Sequence, residues 1–240
     1  MDGEEEPEAI YERLWREALA GFRAGRFELD AGIDDPEDAR RGLSLVARPT
    51  EPVAGALAAL LERLAAAAPE QYLPAPDELH VTVLSIVTCA PGFALDGAGA
   101  DAWAGLVGGC LAGVPAFDLD FDGLTASASC AMVRGRPADG TLGTIRARLR
   151  DGIARSSLPH TLEARYPART AHATVLRFRR APEDPDALVG ALLAERERAF
   201  GRCRVEALEL VVNDWYHRRA AVRRVATVPL GRSASRLRRG

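Results

Sequence analysis

Apolar and polar positions along the chain alternate between two rhythms. Residues 8–27 place Ile10, Leu14, Leu19 and Phe22 at near-helical spacing, with Tyr11 and Trp15 beside them and Gly25 as a stop, which predicts an amphipathic helix. Residues 30–41, rich in Asp and broken by Gly32 and Pro36, read as a loop. A strand over 43–49 comes next. It leads to a helix that starts near Thr50 and runs through Val53, Leu57, Leu60, Leu61 and Leu64, with Thr50 as its N-cap and Glu51 in its first turn. A loop punctuated by proline then enters a strand over 79–87, followed by a helix over 98–111 and a strand over 116–124. The order then repeats: strand 129–133, helix 142–156 with Ile145, Leu149 and Ile153 on one face, strand 170–178, helix 185–200 and strand 205–212. A last strand, 220–229, pairs back through a turn near 216–219.

The two halves share more than their order. Arg-Pro follows the opening strand in each, at Pro49 and Pro137, an offset of 88, and a second shared motif recurs at an offset of 92, from His80 to His172. The chain therefore reads as an N-terminal helix and acidic loop (1–41), one bilobal domain (42–230) built from diverged halves of about 42–125 and 126–230, and an Arg-rich tail (231–240) expected to be a solvated end. The fold class is α+β. Two mostly antiparallel sheets flanked by helices are expected, with a central cleft between lobes related by a pseudo-twofold axis.

The shared motif is the candidate chemistry. His80-Val81-Thr82-Val83-Leu84 and His172-Ala173-Thr174-Val175-Leu176 both read His-x-Thr-Val-Leu. On an extended strand His80 and Thr82 point one way and Val81 and Val83 the other, as do His172 and Thr174 against Ala173 and Val175. One such pair is more often a half-buried histidine satisfied in its strand. Two in matching places of a repeat put two imidazoles and two hydroxyls across one cleft, the equipment for acid-base chemistry on an anion. Of the other histidines, His160 is expected to be solvated or a cap and His217 to lie in a surface turn. No third metal ligand has the right spacing, so no metal is expected. Gly97-Ala98-Gly99-Ala100-Asp101-Ala102 has no strand running into it and reads as a helix start, not a dinucleotide loop.

Composition narrows the partners. All 31 basic residues are Arg; residues 1–41 carry a net charge of −7 and residues 42–240 a net charge of +4. The part with the motifs is mildly basic, which permits an anionic substrate and falls short of a surface for long nucleic acid. Neither the charge nor any motif indicates a protein partner. Hydrophobic content of 48% excludes disorder, and no apolar run is long enough to span a bilayer. The acidic opening residues do not form a secretory signal, which points to the cytoplasm. Cys89, Cys110, Cys130 and Cys203 are too dispersed for a redox or zinc motif and read as buried thiols.

The paired motifs resemble those of the 2H phosphoesterase superfamily, and within it the chain is similar to bacterial proteins of the 2′-5′ RNA ligase and cyclic nucleotide phosphodiesterase-like family. The similarity runs from about Ile10 to Pro229 and includes the run Leu208-Glu209-Leu210-Val211-Val212-Asn213-Asp214-Trp215-Tyr216. The resemblance implies a duplicated bilobal fold and cofactor-free, metal-independent chemistry on 2′,3′-cyclic phosphates of nucleotides or RNA termini, or on 2′-5′ phosphodiesters. It also implies that His80 and His172 are catalytic and that Thr82 and Thr174 contact the phosphate. The residues leave two other readings: a protein that binds RNA ends or nucleotides without turnover, and a sugar-modifying enzyme with paired acid-base groups.

Overall fold

The computed structural model describes residues 5–164 and 167–231; the tail beyond 231 lies outside the described residues. Pro7 opens α1 (Pro7–Arg23), where its fixed backbone angle suits the first helical turn, and the helix buries Tyr11, Trp15, Ala18 and Phe22. The chain continues through β1 (Arg41–Ala47), α2 (Val53–Ala67), β2 (Val81–Ala90), α3 (Gly97–Leu111), β3 (Phe117–Ser127), β4 (Cys130–Pro137) and α4 (Thr141–Ala154). It ends with β5 (Ala171–Arg177), α5 (Pro185–Ala194), β6 (Ala199–Val205), β7 (Ala207–Asn213) and β8 (Arg223–Pro229). Among the described residues no helix is long and apolar enough to cross a membrane, and the four cysteines are unpaired.

Helix and antiparallel sheet combine as the sequence predicts, with one change. In place of two sheets there is one of eight strands, in the order β6-β3-β4-β5-β2-β1-β7-β8. Its halves meet where β2 and β5 pair through Val81 and Ala173 alone. The His-x-Thr strands lie edge to edge, so their backbone groups bond across the seam and fuse what the repeat suggests as separate sheets. One half of the sheet, β5-β4-β3-β6, comes from the unbroken stretch 117–205. The other, β2-β1-β7-β8, is assembled from both sides of it.

Local chemistry explains the smaller departures. Helix α5 ends at Ala194 instead of near 200, and Phe200, Cys203 and Val205 instead face the core from β6. Tertiary bonds stop the helix: Glu195 holds Arg63 at 2.7 Å and also Arg198, while the Arg196 guanidinium donates to the Leu124 carbonyl and pairs with Glu12. Thr50 does not cap α2. Its hydroxyl lies 3.2 Å from Cys203 Sγ, and the Glu51 carboxylate accepts the Gly55 N–H at 3.2 Å in its place.

Two side chains hold the seam from behind. Arg146 on α4 is only 5% exposed; its Nε donates to Val83 O at 2.9 Å and its Nη2 to Thr170 O at 2.7 Å, so one guanidinium bridges β2 and the entry to β5. Tyr11 of α1 reaches the other edge of β5, where its hydroxyl donates to Ala171 O at 2.6 Å and accepts from Ala171 N at 3.0 Å. Burial pushes this phenol up to about 12. Gly135 lets β4 come close to β5 here, since a Cβ there would sit 2.5 Å from Ala171 O. Tyr11→Phe strands a buried N–H and carbonyl, so equilibrium denaturation should show a loss of about 1–3 kcal/mol; an unchanged midpoint would mean water replaces the hydroxyl.

Candidate active site

The seam forms the floor of a cleft of about 630 Å³ lined by His80, Thr82, His172 and Thr174. The antiparallel register through Val81 and Ala173, carried one residue either way, sets His80 across from Thr174 and Thr82 across from His172. The register thus places each histidine next to the other motif's threonine along one cleft floor. Val81, Val83, Ala173 and Val175 on the opposite face are all buried, while the four polar residues are half-buried, open to the cleft instead of bulk solvent.

His80 precedes β2, next to the short 3-10 turn Pro76–Glu78. Its Nδ1 is 2.8 Å from the Glu78 carbonyl, which only accepts, so Nδ1 carries the proton and the neutral ring offers a bare Nε2. His172 Nδ1 lies 3.1 Å from the Thr170 hydroxyl. Burial pushes both imidazoles down to about 4; the Glu78 carbonyl partly opposes this at His80, where the charges of Arg48 and Arg177 add to it, while Arg146 and Arg177 add to it at His172. Both folded values lie below the ordinary histidine value near 6.5. The unfolded chain therefore takes up protons first, and the stability these neutral rings support, whole above about pH 6.5, is lost as pH falls toward 4.

Sequence reasoning missed three residues of this cleft. Arg177, at the end of β5, lies over the rings of Trp215 and Tyr216 at 5.7 and 5.9 Å and is in no ion pair among the described residues. Trp215 lines the cleft as well. His217 is not in a surface turn: it is 6% exposed, and its ring stacks on His80 with centroids 3.9 Å apart and planes 29° from parallel. The available signal was position. The run Trp215-Tyr216-His217 follows β7 after Asp214, and β7 pairs with β1, the neighbour of β2. His160 is exposed, and its Nδ1 accepts the Leu162 N–H at 3.3 Å. Among the described residues no three His, Cys, Asp or Glu side chains converge as a metal-ligand set.

A family model described as the 2′-5′ RNA ligase superfamily matches residues 52–216. The chain belongs to this superfamily. Membership agrees with the resemblance carried by the paired motifs. No curated protein matches the chain significantly. Among solved structures it is similar to TT0787 of Thermus thermophilus, at 14% identity and a TM-score of 0.55, covering 82% of this chain and 100% of that one. It is also similar to Escherichia coli LigT complexed with 3′-AMP, at 16% identity and a TM-score of 0.56, covering 80% and 99%. ATU0111 of Agrobacterium tumefaciens, a conserved protein of unknown function, aligns at 14% identity and a TM-score of 0.55 over 88% and 97%. At these identities the likeness shows a shared fold. The superfamily match starts after α1, yet Ile10 and Leu14 of that helix line the cleft here, beside Arg13, which Glu5 holds at 3.1 and 3.2 Å.

Proposed function

We propose that the cleft hydrolyses 2′,3′-cyclic phosphates of nucleotides or RNA ends, or 2′-5′ phosphodiesters, by two-histidine acid-base catalysis without a metal. The observation that carries this reading is that both motifs line one cleft, on strands whose antiparallel register sets each histidine next to the other motif's threonine. One neutral histidine takes a proton from water as the oxygen bonds to phosphorus. The other, as imidazolium, gives its proton to the departing ribose oxygen as the P–O bond breaks, leaving a phosphomonoester. The hydroxyls of Thr82 and Thr174 donate to the non-bridging oxygens, and the Arg177 charge holds the anion. The cleft volume of about 630 Å³ suits a mononucleotide or an RNA terminus. That LigT was crystallised with 3′-AMP supports a nucleotide as the ligand class.

The test is a panel of nucleoside 2′,3′-cyclic phosphates incubated with the protein in EDTA and followed by phosphorus NMR. Turnover to a phosphomonoester, unchanged by the chelator, is expected. Saturable binding without turnover would make this a binding protein, and activity lost in EDTA but restored by zinc or manganese would end the metal-free mechanism.

A further inference from the structure

We infer that His217 is a positioning residue for His80, a fixed plate against which the His80 ring is held edge-on to the phosphate. This rests on the reading of His80 as an acid-base group. The His80 side chain is anchored by the bond from Nδ1 to the Glu78 carbonyl, and a ring held at one atom can still swing about that bond. The face of His217, 3.9 Å away, removes the swing.

The plate is itself fixed. His217 adopts a left-handed backbone, φ 57°, uncommon for a residue other than Gly although Asn, Asp and His take it more often than the rest. Its N–H donates to Asp214 O at 3.3 Å, and Arg218 N donates to Asp214 Oδ1 at 2.9 Å. Arg219 N donates to Glu78 Oε1 at 2.8 Å, and the Arg219 guanidinium pairs with Asp77 at 2.6 Å. Glu78 therefore holds His80 through its carbonyl and the His217 loop through its carboxylate. Both rings are registered to one residue.

His217 Nδ1 is buried and has no hydrogen-bond partner among the described residues, so the ring is placed by its stack on His80 and by its loop, not by a bond of its own. The charges and titratable groups around the pair are Arg48, Arg177 and His172, with Glu78 at the Nδ1 side. Burial, with the charges of His80, Arg48 and Arg177, holds His217 well below the usual histidine range and so keeps the plate neutral.

The test compares His217→Asn, which tolerates the left-handed backbone and removes the ring, with His217→Phe, which keeps a ring. On a 2′,3′-cyclic substrate H217N should lose about ten- to a hundredfold in kcat with KM within about threefold, the signature of a misaligned group, and H217F should return to within about threefold of wild type. A second arm needs no substrate: nitrogen-15 NMR titration of the His80 ring. In wild type and H217F the ring should titrate well below the ordinary value, and in H217N it should move toward that value as the ring swings into water. Wild-type kcat with an unmoved His80 titration in H217N, or an H217F variant with native circular dichroism and melting that is as impaired as H217N, would overturn the inference. If H217N does not fold, the H217F titration decides, and a value displaced from wild type counts against the plate. Absence of turnover in every protein would sink the proposed function while the NMR arm still reports on positioning.

Discussion

Alanine at His80 or His172 is expected to cut turnover of a 2′,3′-cyclic phosphate by about 10⁴-fold, because each histidine moves a proton that no neighbouring side chain is placed to move. Folding should survive, since Val81, Val83 and Val175 anchor the strands from the opposite face. Thr82→Ala and Thr174→Ala should cost less, about ten- to a thousandfold, the range for one lost donor to transition-state charge. The pH profile separates free protein from complex. Without substrate both imidazoles are held down to about 4, so the one that must be protonated loses its proton early and kcat/KM falls above that pH. A bound phosphate anion raises that imidazole, so kcat should hold to higher pH than kcat/KM. The check is a pH-rate series on wild type and the four single variants, each with native circular dichroism. A folded His80→Ala protein with near wild-type turnover would refute the two-histidine mechanism.

Removing the guanidinium behind the seam should have the largest effect on stability. Arg146→Met keeps the length and apolar stem but leaves Val83 O and Thr170 O without their donor, in a place only 5% exposed. At about 1–3 kcal/mol for each orphaned carbonyl, the expected loss is about 3–5 kcal/mol, a large share of a typical domain's stability. Arg146 makes these bonds without a carboxylate partner among the described residues, and burial pushes it down to about 10, which still leaves it charged at neutral pH. Because β2 and β5 share one paired position, this variant should also lose kcat at temperatures where it remains folded. Urea denaturation of R146M within about 1 kcal/mol of wild type would show that the seam holds without it.

The apolar spacing was enough to read nearly every element, because α2 and α4 keep a helical period and the strands stand out as short apolar runs bounded by turn residues. It failed at 195–205, where Phe200 sits at a spacing that continues α5 as well as it opens β6, and where bonds from Glu195 and Arg196 to distant residues decide. The motif pairs were legible because strand alternation alone sends His80, Thr82, His172 and Thr174 to one face. His217 was not. Its run is as polar as a surface turn, and its burial comes from Asp214, Glu78 and His80, which only the fold brings together. The single sheet was hidden for a similar reason, since a repeat reveals likeness between halves and not which edges meet.

The nesting of one half of the sheet inside the other sets an order on folding. As the chain leaves the ribosome, β3 to β6 are complete once residue 205 has emerged, whereas β1 waits with one edge bare until β7 arrives. The half with His172 can therefore close on itself first, and the half with His80 and His217 is finished by the last strands made. A chain cut before residue 207 would carry the unpaired edge of β1, an apolar strand whose residues Leu43, Leu45 and Val46 are fully buried in the complete fold. Such fragments should aggregate instead of persisting as a half-enzyme.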